Sequence, residues 1–343
     1  MAALASPRNT TRHISADAAG IAEAARLLAE GHLVAFPTET VYGLGADARS
    51  AEAVAGIYRA KGRPSSNPLI VHVADLRMAE TFGIFDAAMR RLAERFWPGP
   101  LTMVVPLREA SALAPAITAG RETVGLRVPA SPVALALIRQ AGCPVAAPSA
   151  NPSGRVSPTE AEHVLDPDTG LGGRIAAVLD GGPTPVGLES TIVAAGRGAS
   201  ASLRLLRPGG LSLEALEAAA GALLAQPTAP VETAAPEGLE APGMMASHYA
   251  PRARLRLAAA APEPGEAWLG FGADPAAAAD AIAARNLSEA ADLDEAAQRL
   301  FSSLRALDTD LGEGGTIAVA PIPDRGLGRA INDRLARAAA PRS

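Results

Sequence analysis

The sequence predicts a two-part α/β protein: a mixed sheet with flanking helices, followed by a smaller α/β unit. Three observations carry this reading. Short apolar or β-branched runs alternate with segments whose apolar residues recur at helical spacing. Some runs, such as Leu101 to Val105 and Val124 to Val128, follow one another with no helical pattern between them, which favours a mixed sheet over a purely parallel one. A stretch rich in Pro, Ala and Glu, Gln226 to Gly243, then reads as a linker.

The elements follow in order. Residues up to about 11 read as a loose tail, and Pro7, Arg8, Asn9 and Arg12 break any signal-peptide apolar region. Ser15 can cap a helix carrying Ile21, Ala24, Ala25 and Leu28 on one face, closed by Gly31. Leu33 to Phe36 reads as a strand, and Pro37 to Gly45 as a polar, glycine-punctuated turn. Ser50 can cap a helix through Val54, Ile57 and Tyr58, which Gly62 and Pro64 break. Leu69 to Val73 reads as a buried strand. Helices are expected around Leu76 to Phe82 and Asp86 to Phe96, the second stopped by Trp97-Pro98-Gly99-Pro100.

After the two strands named above, Val133 to Ala141 reads as a helix and Val145 to Ala147 as a short strand. Ser157-Pro158-Thr159-Glu160 has the pattern of a capped helix start. Ala177 to Leu179, Ser190 to Val193 and Leu203 to Leu206 read as strands, and Leu211 to Leu223 as a helix. Beyond the linker, Trp268 to Phe271 and Thr316 to Pro321 read as strands. Pro275 to Arg285, Leu293 to Leu307 and Leu327 to Ala339 read as helices. The resulting division is 12–210, 211–252 and 253–340.

At 343 residues the chain is long enough for two domains. A formal charge of -5 argues against coating nucleic acid by bulk electrostatics, yet leaves room for a local basic cleft. The single cysteine, Cys143, can form neither an intramolecular disulfide nor a multi-thiolate metal site, and fits a reducing cytoplasm. It sits before Pro144 among apolar residues and reads as a buried structural thiol. No apolar run reaches the length of a membrane span, so no membrane partner is expected.

Charge reverses locally in one stretch. Arg59, Lys61 and Arg63 lie close together, and no Asp or Glu intervenes between Glu52 and Asp75. Such a loop, between a helix end and a strand, can meet several phosphate oxygens, Lys as a point charge and Arg as a fork. It can equally favour a helix C-terminus. There is no Walker A motif, no Gly-x-Ser-x-Gly elbow and no His-Glu-x-x-His spacing, so no metal site is expected in the protein itself. Polar residues instead recur at strand ends: Thr38 to Tyr42, Arg59 to Asn67, His72, Thr123 with Arg127, Ser149 to Ser157, Ser190 with Thr191, and Arg207. Each has a structural alternative. Ser149 and Asn151 can hold a turn, Arg127 can pair with a core carboxylate, and His72 can be a satisfied half-buried histidine. Their recurrence at element ends points to a site for binding and electrostatic catalysis.

Phe36-Pro37-Thr38-Glu39-Thr40-Val41-Tyr42-Gly43-Leu44-Gly45, Lys61-Gly62-Arg63-Pro64 and Asn67-Pro68-Leu69-Ile70-Val71-His72 resemble the YrdC-type threonylcarbamoyl-adenylate synthase family. So do Phe96-Trp97-Pro98-Gly99-Pro100-Leu101-Thr102, Ala147-Pro148-Ser149-Ala150-Asn151 through Ser157-Pro158-Thr159, Asp180-Gly181-Gly182, Glu189-Ser190-Thr191 and Arg207-Pro208-Gly209. The order matches, nearly continuously from about Ile14 to Gly210. Pro242-Gly243-Met244 with His248-Tyr249-Ala250-Pro251 resembles the linker of the longer, two-domain members, and Gly326 to Leu335 the end of their C-terminal domain.

The resemblance implies a YrdC-like twisted mixed sheet with a basic cleft and a smaller, Rossmann-like C-terminal α/β domain. It implies a reaction in which L-threonine, bicarbonate and ATP, with Mg2+, give threonylcarbamoyl-adenylate and pyrophosphate. The product would feed the threonylcarbamoyl-transfer machinery that modifies tRNA, with a weak direct tRNA contact as a secondary expectation. By motif, Thr40, His72, Arg127 and Ser190 would bind threonine. Arg63, Asn67, Thr123, Ala147, Ser149, Ser157, Arg207 and Tyr249 would bind the nucleotide, while Lys61 and Arg63 would serve the chemistry at the phosphates. Where longer members carry a basic and aromatic pair, this chain has Met245-Ala246-Ser247, so the expected lid lacks that basic group. A non-catalytic RNA-binding module is the competing reading; the acidic net charge and scarce aromatics argue against it. A carbamoyl-transfer module is a third, and the chain has no acylphosphatase-like or zinc-finger segment to support it.

Overall fold

The computed structural model describes residues 10–196, 203–221, 224–225, 241–243, 247–312 and 314–341. The first half runs β1 (Arg12–Ser15), α1 (Ala18–Ala29), β2 (Val34–Pro37), β3 (Tyr42–Asp47), α2 (Ala51–Lys61), β4 (Ile70–His72), α3 (Leu76–Ala79) and α4 (Ala87–Phe96). It continues with β5 (Leu101–Pro106), β6 (Thr123–Arg127), α5 (Pro132–Ala141), β7 (Val145–Ala146), α6 (Ala161–Leu165), β8 (Ala177–Asp180), β9 (Thr191–Ala194), β10 (Arg204–Arg207) and α7 (Leu213–Ala220). The C-terminal part holds β11 (Arg254–Arg256), β12 (Ala267–Gly270), β13 (Ala284–Asn286), α8 (Leu293–Leu311), β14 (Thr316–Val319) and α9 (Gly328–Ala339).

Strands β1 to β10 form a ten-stranded mixed sheet in the order β1-β8-β2-β3-β7-β4-β6-β5-β9-β10. β4 pairs with β6 in parallel, while β5–β6 and β4–β7 are antiparallel. Side chains alternate between the two faces. Ala35, Val71, Ala146 and Val178 enter one core with Val54 and Ile57 of α2, Met89 and Leu92 of α4, and Leu216 of α7. Val34, Phe36, Val145, Ala177 and Leu179 face the other way and pack on Leu28 of α1 and Leu137 of α5. That second helical layer covers only part of its face. Further along, Ile70, Val104, Ile192 and Leu206 form a separate small cluster with Ala241. Among the described residues this cluster includes no helical side chain, and the site lies beside it.

The second sheet is parallel throughout, in the order β11-β14-β12-β13. Its core, with Leu300, Phe301 and Leu304 of α8 and Ile331 and Leu335 of α9, also takes in Val41, Val156, Leu188 and Tyr249. The two sheets therefore share packed surface. At Gly187 (φ 75°) an added Cβ would lie 2.5 Å from the Ala297 carbonyl oxygen of α8, so only glycine permits this approach.

Several expectations are corrected. Asp17, not Ser15, caps α1, because Ser15 belongs to β1. Residues 42–45, read as turn, belong to β3. Ser157 caps nothing: Glu160 precedes α6 without a side-chain cap. The expected helix from Pro275 to Arg285 is a short 3-10 turn, Ala276–Asp280, followed by β13. β11 is a further strand the pattern did not announce. The Gln226 to Gly243 linker lies outside the described residues except at 241–243. Among the described residues, no helix is long and apolar enough to cross a membrane.

Candidate active site

This face of the larger sheet bears a partly open cavity. Thr40, Arg63, His72, Arg127, Ala147, Ser149, Ser190, Arg207 and Tyr249 line it, together with Glu189, Pro242, Gly243 and His248. His72 and Arg127 end the adjacent parallel strands β4 and β6, in direct register. Ser190 precedes β9, and Arg207 ends β10 where the β9–β10 register slips. The chain pattern thus delivers these side chains from β4, β6, β9 and β10, on either side of β5, to one surface.

On one side, Arg127 donates from Nη2 to Glu39 Oε1 (2.7 Å) and to Thr40 Oγ1 (3.0 Å), and from Nε to the Gly99 carbonyl (3.2 Å). The core-carboxylate pairing and the cavity position are both realised. Thr40 Oγ1 also shares a 2.8 Å hydrogen bond with Thr38 Oγ1, and Ser190 Oγ one with Thr102 Oγ1 at 2.8 Å. His72 is buried, and burial together with the nearby Arg127 holds its pKa well below the ordinary value, so the ring is neutral.

On the other side, the Arg63 guanidinium bonds Asn67 Oδ1 at 2.6 Å and the Pro68 carbonyl at 2.8 Å. Burial, with Arg207 adding to it, lowers the Arg63 pKa to about 10. Arg207 donates to the Ser190 carbonyl (2.8 Å), Ser190 Oγ (3.3 Å) and the Pro242 carbonyl (3.2 Å). Its own pKa is lowered by burial. Lys61 is buried, and burial followed by Arg63 pulls its pKa well down. Two buried guanidiniums, Arg63 and Arg207, thus face the cavity, and among the described residues neither forms an ion pair with a carboxylate, which suits an anionic ligand.

Pro242, Gly243, His248 and Tyr249 border the cavity. Tyr249 is buried at φ 61°, stacks on Phe301 at 5.8 Å, and its hydroxyl has no hydrogen-bond partner among the described residues. His248 is buried beside it at 4.1 Å between ring centroids. Burial, then the nearby Arg63, Lys61 and Arg207, outweigh Glu189 and push the His248 pKa down to about 3. Gly243 must be glycine: at φ 80° its Cβ would lie 2.6 Å from Tyr249 Oη and 2.8 Å from Arg207 Nη1. Met245 and Ala246, part of the departure from the longer members, lie outside the described residues.

Not every expected residue lines the cavity. Lys61 Nζ instead donates to the Ser149 and Asn151 carbonyls, clamping that turn. Asn67 reaches the site through Arg63. Ser157 donates to Glu189 Oε1. Thr123 starts β6, on the same face as Arg127 but about 13 Å along the strand. Arg121 there donates to the Ser66 carbonyl of the basic loop at 3.4 Å. The sequence reading gave no role to Glu39, Glu189, His248 or Arg334, which the structure ties to the site. All four stood inside the quoted motifs, and a search for carboxylates able to pair with the buried arginines would have picked out Glu39 and Glu189.

A mixed α/β sheet with a cationic cavity on one face, bordered by Pro242, Gly243, His248 and Tyr249 ahead of a second domain, defines a YrdC-type protein of the two-domain kind. The model of the family described as telomere recombination matches residues 26–209, and that of the threonylcarbamoyl-AMP synthase C-terminal domain matches residues 211–340. The chain belongs to the threonylcarbamoyl-AMP synthase family. It is 42% identical to the threonylcarbamoyl-AMP synthase of Bacillus subtilis, over 96% of each chain. To that of Pyrococcus abyssi it is 39% identical, over 92% of each. The solved structure of P. abyssi Sua5 complexed with L-threonine superposes with a TM-score of 0.85, 36% identity and coverage of 96% of this chain and 97% of that one. The RNA-binding alternative is not favoured.

Proposed function

We propose that this chain condenses L-threonine, bicarbonate and ATP into threonylcarbamoyl-adenylate and pyrophosphate. The product supplies the threonylcarbamoyl group for adenosine modification in tRNA. The observation that carries this reading is the pairing, in one cavity, of an Arg127–Thr40–Ser190 side with an Arg63–Arg207 side.

The amine of threonine adds to bicarbonate with loss of water, giving a carbamate. A carbamate oxygen then forms a bond to the α-phosphorus of ATP, and the bond to the departing pyrophosphate breaks. No protein nucleophile is needed. The protein brings two anions together and offsets their repulsion. Arg127, oriented by Glu39, takes the threonine carboxylate. Neutral His72 and the hydroxyls of Thr40 and Ser190 offer hydrogen bonds to the amino acid, whose own hydroxyl needs a partner if serine is to be rejected. Arg63 and Arg207 face the phosphates, with Asn67 holding Arg63. Lys61 fixes the 149–151 turn. Tyr249 closes over the nucleotide.

Magnesium enters with ATP. Among the described residues no group of three or more His, Cys, Asp or Glu side chains is placed to hold a metal. The cavity carboxylates Glu39 and Glu189 are already bound by Arg127 and Arg334. The ion fits as part of the substrate, held by triphosphate oxygens, where it screens their charge. The test is incorporation of isotopically labelled bicarbonate. With threonine and MgATP, the adenylate recovered by mass spectrometry carries the label and the mass of threonine. An unlabelled adenylate overturns the reading.

A further inference from the structure

Arg334 belongs to α9 of the C-terminal domain, yet it is wholly buried against the catalytic sheet. Its Nε donates to Glu189 Oε2 at 2.8 Å, and Nη2 donates to the Pro208 carbonyl at 3.0 Å. Nη1 bonds Asp333 at 2.6 Å, and the guanidinium lies 4.9 Å from the centre of the Tyr249 ring. Glu189 in turn accepts from Ser157 through its other oxygen. One side chain therefore touches, directly or through one carboxylate, the neighbours of three groups on the nucleotide side: Ser157, Arg207 and Tyr249. Its hydrogen bonds reach no residue of the Arg127–Thr40 side.

We infer that Arg334 is a positioning residue through which the C-terminal domain builds the nucleotide half of the site. This rests on the functional reading above. Tyr249 sits between two elements of the second domain, with Phe301 of α8 stacked at 5.8 Å and Arg334 of α9 at 4.9 Å. Glu189 immediately precedes Ser190, whose carbonyl and hydroxyl hold Arg207. The charge states agree with this geometry. Burial opposes ionisation of Glu189, but Arg334 and Arg207, with the Ser157 hydrogen bond, outweigh it and hold the carboxyl below the usual range. The C-terminal domain thus backs the lining residues Glu189 and Tyr249 from behind rather than standing apart as an appendage.

The test is full-chain Arg334→Gln and Arg334→Lys, with Arg334→Gln/Glu189→Gln to avoid leaving a bare buried carboxylate. Thermal melting and circular dichroism check folding. Steady-state pyrophosphate release gives KM for ATP and kcat, and calorimetry gives threonine affinity without ATP. The expected result for Arg334→Gln is an ATP KM raised at least about tenfold, with threonine affinity changed less than about threefold. Arg334→Lys rescues part of this. The double variant melts closer to wild type than the single one but keeps the raised ATP KM. A merely structural role would lower kcat per mole of protein and leave both affinities alone; that outcome, or restoration of the ATP KM in the double variant, overturns the inference. Wild-type protein that makes no threonylcarbamoyl-adenylate overturns the functional reading, and the inference with it.

Discussion

Glu39 and Arg127 form a buried pair, Oε1 to Nη2 at 2.7 Å, while the second carboxylate oxygen accepts from the Ala130 amide at 2.9 Å. Both side chains are less than a tenth exposed. Arg127 Nη1 has no hydrogen bond among the described residues, so Glu39 fixes one edge of the guanidinium and leaves the other for a second carboxylate. For Arg127→Ala, threonine affinity should fall by about 30-fold or more, since truncating a buried hydrogen-bonded charge costs about 2–5 kcal/mol. Calorimetric titration with threonine checks this, and unchanged affinity would place the amino acid elsewhere.

Arg63→Ala should abolish most turnover yet leave the fold intact. The acceptors that Arg63 leaves are neutral, Asn67 and the Pro68 carbonyl, so no buried charge is stranded. Pyrophosphate release and circular dichroism on the same preparation separate the two effects. Normal turnover by the folded variant would remove Arg63 from the chemistry.

At Gly243 a methyl group would collide with the Tyr249 hydroxyl and the Arg207 guanidinium, at a φ that side chains disfavour. Gly243→Ala should therefore displace this border of the cavity, at a backbone cost of about 1 kcal/mol or more. ATP KM should rise more than threonine KM. Equal changes in both would mean that this border serves the whole cavity rather than its nucleotide side.

Acid stability follows from the buried histidines. Burial, then Arg305, lowers the His163 pKa to about 4 from 6.5, and that of His248 falls to about 3. Unfolded, these rings take up protons near pH 6.5; folded, only near pH 4 and 3. Within that window the unfolded state binds more protons, so stability must fall as pH drops below 6.5. Thermal melts between about pH 7 and about pH 4 should show a declining Tm, with a shallower slope in His163→Gln. A flat profile in wild type would contradict the buried, neutral assignment.

Much of this was legible in the sequence, for local reasons. Ser50 accepts from Ala53 at the start of α2, Gly62 ends it in a left-handed conformation, and Asp86 caps α4. Those signals act over one helical turn. What failed was settled by distant contacts. Residues 42–45 look like a turn because of Gly43 and Gly45, but a Cβ at Gly45 would lie 2.9 Å from the Phe36 ring, so close sheet packing demands glycine. The Ser157 pattern spells a cap, yet its hydroxyl is taken by Glu189, 32 residues on. The alanine-rich stretch after Pro275 has helix propensity, but pairing with β12 claims residues 284–286 for a strand. Arg334 meets Glu189 across 145 residues, and no spacing rule reaches that far.

The central claim is most directly tested by pyrophosphate release from MgATP, omitting threonine or bicarbonate in turn. The expected result is release only when both are present, because the attacking group is the carbamate that the two make together. Release with threonine alone, in bicarbonate-free buffer, would mean ordinary amino-acid activation and would contradict the account.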